Sequence, residues 1–468
     1  MSVSHSTEPR HRNLHYIEWL RVAIIALVVA HHAGQAYGPT GGEWPVTETV
    51  SSPFLGPFFA VNAGFFMGLF FLVSGYFTGG SHDRRGSARF AKDRLIRLGV
   101  PVAFVSLFVF GPAFYFSAPS ETSFWHYWLW DYVGEWNVEM GHLWFVAHLL
   151  VYSLLYALWR RLPFAGDSSD RAKTRVPGHL TFLGFAVFLG LVGAAVRARF
   201  QQDYWVDIFW LVPAELVHLP QYLSLFFIGV LAGRGEWFQR VATPVGYVWL
   251  GIGLSCAIFA YAVMLGLFPN LMASDHAFIY FAVWEAFLCT GLSVGLIVVF
   301  REHANAPGRL LRFLAPSVYS VYIIHVFVVI GLQMLMFPLH LGALAKFIIV
   351  TGLGIGLSFL IAYPLRRLPG LRQILQDRRG GRLTGAAPGT YGFAWSGSVS
   401  YRKPSALTFS TCLARLSLPS PGSPARRLRS PGWRSFPPPG CIAATTAPIR
   451  SAPPIIASFR VRPPPPMW

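Results

Sequence analysis

The first apolar segment of the chain carries ionisable side chains whose spacing suits chemistry inside a membrane. Glu18, Arg21, His31 and His32 all fall within one stretch predicted to be a helix. Arg21 and His32 are 11 residues apart. This separation is three helical turns plus about 20°, so both side chains share one face, roughly 16 Å apart. Glu18 lies one turn before Arg21 and can pair with it, whereas His31 is turned away by about 100°.

His32 is the predicted general base. A histidine titrates near neutrality, so it can take the proton of a hydroxyl and return it. For Arg21 and Glu18 the sequence leaves two interpretations open. They are either a functional pair or charged side chains that reach the membrane interface along their apolar stems.

Three further ionisable side chains lie within predicted membrane-spanning segments: His148, Glu285 and His325. Such groups are costly at bilayer depth, so each needs a reason, and for Glu285 a functional and a structural role both remain open. The alternative for His148 and His325 is a hydrogen bond between helices. Tyr319 and Tyr322 precede His325 at steps of three residues and share that alternative.

A cluster of cations precedes the third apolar segment, in the stretch RFAKDRLIRLGVP, which we expect to be a loop. Arg94 and Arg97 stand there with the spacing Arg-x-x-Arg. Guanidinium groups bind phosphates through paired hydrogen bonds, so this cluster is a candidate phosphate clamp. The alternative is a topology signal, because short cytoplasmic loops of membrane proteins are enriched in Lys and Arg.

The segments that must position these residues are apolar blocks long enough to cross a bilayer, which takes about 20 residues each. The chain is 54% hydrophobic and only 12% charged, against about 25% charged residues in soluble domains. We predict an all-α, polytopic membrane helical bundle with a disordered C-terminal tail. The ten predicted spans are 16–37, 55–79, 98–117, 141–160, 178–197, 219–236, 244–266, 277–300, 314–337 and 343–365.

The distribution of basic residues predicts the topology. Alternate loops are rich in Lys and Arg, so we expect both termini to lie in the cytoplasm and the chain to span the inner (plasma) membrane several times. The segment from Arg197 to Leu219 faces outward in this topology. Its aromatic residues are typical of a helix lying in the membrane interface: Tyr204, Trp205, Phe209 and Trp210.

The net charge of +18 is concentrated at the C-terminus, because residues 377–468 hold 13 of the 38 Lys and Arg residues and one acidic residue. This argues against a nucleic-acid-binding protein. The same segment holds 16 of the 35 prolines, a composition typical of disorder. We therefore predict two parts, a membrane domain over 1–376 and a disordered tail over 377–468. The four cysteines show neither disulfide nor metal spacing.

These motifs together resemble the acyltransferase-3 superfamily, particularly its branch similar to glucans biosynthesis protein C. The resemblance covers about residues 10–376. It rests on the Arg21–His32 segment, on FFMGLFFLVSGYF with its Ser74-Gly75 pair, and on the Arg94–Arg97 cluster. It continues in order through GHLWFVAHLLVYSLLY, LPQYLSLFFIGVLAGRGEW, VWEAFLCTG, APSVYSVYIIHVFVV and RRLPGLRQIL. The family often has Asp where this chain has Glu18.

The resemblance implies transfer of an acyl group from a cytoplasmic acyl-CoA to a hydroxyl of a glycan or another cell-envelope molecule, including a lipid-linked one. The implied catalytic residues are His32, Arg21 and Glu285, with Glu285 orienting the imidazole of His32. A transient acyl-histidine is the alternative to general-base catalysis. The implied substrate-binding residues are Arg94, Arg97, Glu18, His148, His325 and Ser74. Membrane lipids are expected partners, no nucleic acid is expected, and no cofactor or metal is expected beyond acyl-CoA as donor substrate.

Two other classes of protein remain open from the sequence. A secondary transporter of a small polar or acylated solute would also span the membrane repeatedly. Such proteins often show internal repeats and helices broken by Gly or Pro at corresponding positions, and neither is visible here. A non-catalytic membrane scaffold is the second class, although it would not need Arg21 and His32 on one helix face.

Overall fold

The computed structural model describes residues 14–371, except 40–43, 49–50, 118–121, 163–174, 201, 203, 209–211 and 273, together with the two residues Arg460–Val461. Its main elements are ten long helices. In chain order they are α1 His15–Gly34, α2 Leu55–Arg85, α3 Ser87–Ser117, α4 Gly141–Trp159, α5 His179–Arg197, α6 Leu219–Gly235, α7 Thr243–Met264, α8 Ala277–His303, α9 Arg309–Met336 and α10 Ala343–Leu365.

The ten helices fall where the ten spans were predicted, which confirms the all-α membrane bundle. Among the described residues, nine of them are long and apolar enough to cross a membrane. The remaining one, α6, has 17 residues, which is at the lower end of the length that spans a bilayer. The chain is therefore a multi-pass membrane protein built around helices of about 30 Å, the thickness of the hydrocarbon core.

The basic stretch before the third span is helical, so the expectation of a loop there is wrong. α3 begins at Ser87, directly after Gly86, whose φ of 73° ends α2. Neither Gly nor Pro follows until Gly99, and the chain therefore continues helically through Arg94 and Arg97. Two stretches of α3, Leu95–Gly99 and Ser106–Phe110, have the wider π-helical turn.

The segment between α5 and α6 forms a β-hairpin, and the predicted interfacial helix is wrong. Strand β1 (Trp205–Ile208) pairs antiparallel with β2 (Val212–Glu215), with Trp205 opposite Glu215. Three of the four residues of WVDI are aromatic or β-branched, the types enriched in strands. Phe209 and Trp210 lie outside the described residues.

The predicted tail, 377–468, lies outside the described residues with one exception. Arg460–Val461 forms a short strand, β3, that pairs antiparallel with β1.

α2 and α6 form one of the closest helix contacts, which small residues make possible. Gly229 and Gly233 stand four residues apart on α6, in the Gly-x-x-x-Gly spacing that lets helix backbones approach in membranes. A Cβ atom at Gly229 would collide with the backbone oxygen of Leu72, and one at Gly75 would collide with that of Phe226. The Gln221 side-chain amide also donates to the Gly64 carbonyl over 3.0 Å. These contacts fix α2 against α6.

Candidate active site

Side chains of α1 line two separate cavities, one towards each end of the helix. Arg21 lines the first cavity and His32 lines the second. Eleven helical residues separate them, about 16 Å along the axis. The helix face predicted to carry both Arg21 and His32 therefore borders two different cavities.

The first cavity, called the basic pocket below, has a volume of about 120 Å³. Its lining brings together Arg21, Arg94, Arg97, Ser74 and Tyr319, with apolar residues Val73, Phe77, Leu98 and Leu149. The Tyr319 hydroxyl donates to the backbone oxygen of Arg97 over 2.7 Å, which ties α9 to α3. Three guanidinium groups around so small a space make a site for an anion.

Glu18 is not among the residues that line the basic pocket. Its carboxylate lies 3.5 Å from the Nδ1 atom of His15, at the start of α1. It therefore stands near the helix N-terminus, where a negative charge is favourable.

The second cavity, called the histidine cavity below, has a volume of about 110 Å³. It lies where the end of α1 meets the first turns of α4 and α6, the third turn of α2, the β-hairpin and α9. The polar residues in its wall are His31, His32, Gln35, Glu139, His142, Glu215, His218, Tyr222 and Tyr322. His31 belongs to this wall as well, from a direction on α1 about 100° away from that of His32.

His32 is held in one tautomer by its hydrogen bonds. Its Nδ1 atom lies 2.9 Å from the backbone oxygen of Val28 and 3.3 Å from Nε2 of His325. The His325 Nδ1 atom lies 2.7 Å from the Tyr322 oxygen. Carbonyl oxygens only accept, so both Nδ1 atoms carry the proton in the neutral rings. His325 thus accepts from His32, and Nε2 of His32 is the unprotonated nitrogen that a general base needs.

The end of α1 is fixed by Gln333, a fully buried residue of α9. Its amide nitrogen donates to the backbone oxygens of His32, over 3.2 Å, and Ala33, over 3.1 Å. Its amide oxygen accepts from Nε1 of Trp44 over 2.7 Å. These bonds satisfy carbonyls that the last turn of a helix leaves open, and they hold the backbone of His32.

Glu285 does not reach His32. Its carboxylate forms an ion pair with Arg197 at the end of α5, and it lies 2.9 Å from Nε2 of His218. The opposite nitrogen of His218, Nδ1, lies 2.5 Å from the carboxylate of Glu215. Glu285 therefore stands one residue behind the cavity wall, and the expectation that it orients His32 is wrong.

His218 is an imidazolium in this arrangement, because each of its ring nitrogens faces a carboxylate oxygen and only the charged ring donates twice. Burial alone would lower the pKa of His218. Glu215 and Glu285 outweigh that effect and raise the pKa to about 10. The ring thus links the β-hairpin to α8 through two charged contacts.

His148 supports the cavity from outside its wall. Its Nε2 atom donates to the backbone oxygen of Pro213 over 2.9 Å, and its Nδ1 atom accepts from the Tyr152 hydroxyl over 3.0 Å. These bonds link α4 to β2 and to its own next turn, whereas the sequence left open a hydrogen bond between helices.

Sequence reasoning missed Glu139, Glu215, His218 and Gln333 as site residues. Glu215 and His218 are three residues apart in a segment expected to be an interfacial helix, and their pairing within the cavity wall depends on the hairpin. Gln333 lies late in an apolar span, and a single amide there gives no sign of its partners on α1.

The sequence model of the acyltransferase-3 family, described as an acyltransferase domain, matches residues 14–365. This is most of the chain, and it contains both cavities and all ten helices. No curated protein and no solved structure matches the chain. With its apolar helices and this family match, the chain belongs to the acyltransferase-3 family and is a membrane acyltransferase.

Proposed function

We propose that the protein transfers an acyl group from an acyl-CoA bound at the basic pocket to a hydroxyl of a cell-envelope glycan held in the histidine cavity. The observation that carries this proposal is the position of α1, which places Arg21 in one cavity and His32 in the other. The donor then binds at the cytoplasmic side and the acceptor at the opposite side. Both termini are cytoplasmic in this arrangement.

The basic pocket suits the phosphate groups of CoA. Arg94 and Arg97 lie one turn apart on α3, and Arg21 faces them from α1. Each guanidinium donates in a planar fork that matches phosphate oxygens. The thioester at the far end of the pantetheine arm then extends towards His32.

Aromatic side chains of α9 line both cavities. Tyr319 lines the basic pocket and Tyr322 lines the histidine cavity, and these residues are only about 4.5 Å apart along α9. The ring of Phe145 contacts those of Tyr322 and Phe70, with centroids 5.7 Å apart in each case. Rotation of these rings would admit an extended arm.

His32 acts as the base in this mechanism. Its Nε2 atom takes the proton of the acceptor hydroxyl while the oxygen attacks the thioester carbonyl. The tetrahedral intermediate collapses by breaking the carbon–sulfur bond, and the imidazolium returns the proton to the departing thiolate. The products are an ester and free CoA. His325 keeps the imidazole in the required tautomer throughout, as it accepts from Nδ1.

The experiment that tests the proposal uses purified protein in nanodiscs, with acetyl-CoA and longer acyl-CoA donors and a panel of methyl glycosides. Release of free CoA and formation of the ester are measured together, the latter by mass spectrometry. Ester formation that depends on His32 supports the proposal. Solute uptake into proteoliposomes without consumption of any acyl-CoA would instead show a transporter.

A further inference from the structure

Four residues in the wall of the histidine cavity carry a buried polar atom that no described residue satisfies. Two of these atoms, Nδ1 of His31 and Oε1 of Gln35, lie at the end of α1, where the same two side chains contact each other. The other two lie on different elements: the indole Nε1 of Trp205, on β1, and Nδ1 of His142, at the start of α4. Trp205 is 7% exposed and His142 is 2% exposed. Buried polar groups are nearly always paired, so such a pair in one small cavity calls for a ligand.

The hydrogen bonds around His142 define what its unpaired atom can do. Nε2 lies 3.1 Å from the backbone oxygen of Ile323, so this nitrogen carries the ring proton. Nδ1 is then a hydrogen-bond acceptor. The Tyr322 hydroxyl donates to the backbone oxygen of His142, and the ring lies 5.1 Å from that of His325, between centroids. The orientation of His142 is therefore fixed by its neighbours.

The unpaired atom of Trp205 is the complement of the one on His142, because an indole N–H only donates. The ring packs edge-on against Trp144, with centroids 6.0 Å apart. Trp144 in turn stacks on Tyr222, at 5.5 Å and 28°. His142 and Trp205 thus offer one acceptor and one donor beside an aromatic wall.

We propose that His142 and Trp205 form a subsite for a second hydroxyl of the acceptor, next to the hydroxyl that is acylated. A hydroxyl both donates and accepts, so one such group, or two neighbouring ones, satisfies both atoms. The subsite therefore selects a sugar unit with adjacent hydroxyls over a monohydric alcohol. The inference rests on the proposed function only in placing the reacting hydroxyl at His32.

The size and lining of the cavity agree with this ligand class. A volume of about 110 Å³ equals that of about four waters at roughly 30 Å³ each. This admits one edge of a sugar ring and leaves the rest of a glycan outside. Trp144 and Tyr222 are flat apolar surfaces of the kind on which the C–H face of a sugar ring packs.

The test measures binding, which does not depend on turnover. Trp205→Phe removes only the N–H and keeps an aromatic ring. Trp249→Phe is the matched control, since Nε1 of Trp249 is also buried without a described partner but lies on α7 against Phe182, outside the cavity. Purified protein is titrated by calorimetry with methyl glycosides of several hexoses, with their monodeoxy analogues and with cyclohexanol.

We expect saturable binding of at least one glycoside, with its Kd raised by about tenfold in Trp205→Phe, the loss typical of one neutral hydrogen bond, and unchanged in Trp249→Phe. One monodeoxy analogue should bind equally weakly to wild type and Trp205→Phe. Binding of cyclohexanol as tight as that of every glycoside, an unchanged Kd in Trp205→Phe, or no binding by the panel would overturn the subsite. Glycoside binding without ester formation would overturn the proposed function alone.

Discussion

The Nδ1 atom of His32 lies 3.3 Å from the Nε2 atom of His325, although 293 residues separate them in the chain. The contact joins α1 to α9 at full burial, and it sets which nitrogen of His32 can accept a proton. The geometry of the pair also indicates which of the two rings can act as the base. His325 cannot act as the base itself, because its own Nε2 is occupied by His32 and its Nδ1 by backbone oxygens.

The first prediction separates the two adjacent histidines. His32→Ala should lower acyl transfer by at least about 100-fold, the low end for loss of a general base, while acyl-CoA binding is retained. His31→Ala should cost far less, because the His31 Nε2 atom is engaged with the Gln35 amide at 3.3 Å. Transfer is measured at matched protein abundance. Equal losses in the two variants would exclude His32 as the specific base.

The second prediction concerns the donor. Changing Arg94 and Arg97 together to Gln should weaken acyl-CoA binding by at least about tenfold, since hydrogen bonds to charged groups are worth about 1.5–3 kcal/mol each. Arg309→Gln with Arg312→Gln is the matched control, because both arginines are exposed and lie outside the basic pocket. Equal affinity in the two double variants would show that the α3 arginines serve topology alone.

The third prediction follows from the charge on His218. Its folded pKa, about 10, is above the value of about 6.5 expected in the unfolded chain. The stabilisation by its ion pairs is therefore complete below pH 6.5 and is lost as the pH rises through 10. The unfolding temperature in detergent should fall more steeply between pH 7 and 10 for wild type than for His218→Asn. Parallel curves would contradict a charged His218.

The fourth prediction tests the contact between α2 and α6. Gly229→Ala should sharply reduce the amount of folded protein, since its Cβ would collide with the Leu72 backbone oxygen, which cannot rotate away. Gly184→Ala, in α5, adds the same atom where nothing lies within 4 Å. Folded protein is compared by size-exclusion chromatography after extraction. Normal yield of the Gly229 variant would show that the helices separate more easily than this packing implies.

The sequence predicts the helices well because each apolar block must satisfy its own backbone hydrogen bonds in the bilayer. It fails at Arg197–Leu219, where pairing between Trp205 and Glu215 decides the structure and composition does not. The start of α3 is missed for another reason. Basic residues suggested a loop, yet Arg and Lys are good helix formers and no Gly or Pro interrupts them before Gly99.

The candidate site shows the same division. The separation of Arg21 and His32 follows from helical geometry, and the resemblance points to Arg94, Arg97 and Ser74, which the fold gathers around Arg21. Their roles remain predictions. Ion-pair and hydrogen-bond partners that are distant in the sequence cannot be predicted from helical spacing. An apolar run around Glu285 gives no sign that Arg197 and His218 neutralise it.

The glycine contact between α2 and α6 also determines which helices can shift when a ligand enters. At this contact the two backbones touch directly, so no side chain can change rotamer to make room. The pair α2 and α6 is therefore the rigid side of the bundle. Accommodation of a bulky donor must then come from the facing side, where α3 carries its two π-helical stretches. A wider turn leaves a backbone more ways to shift its register by one residue. The bundle thus has a fixed half and a more adaptable half, and Arg94 and Arg97 stand on the adaptable one.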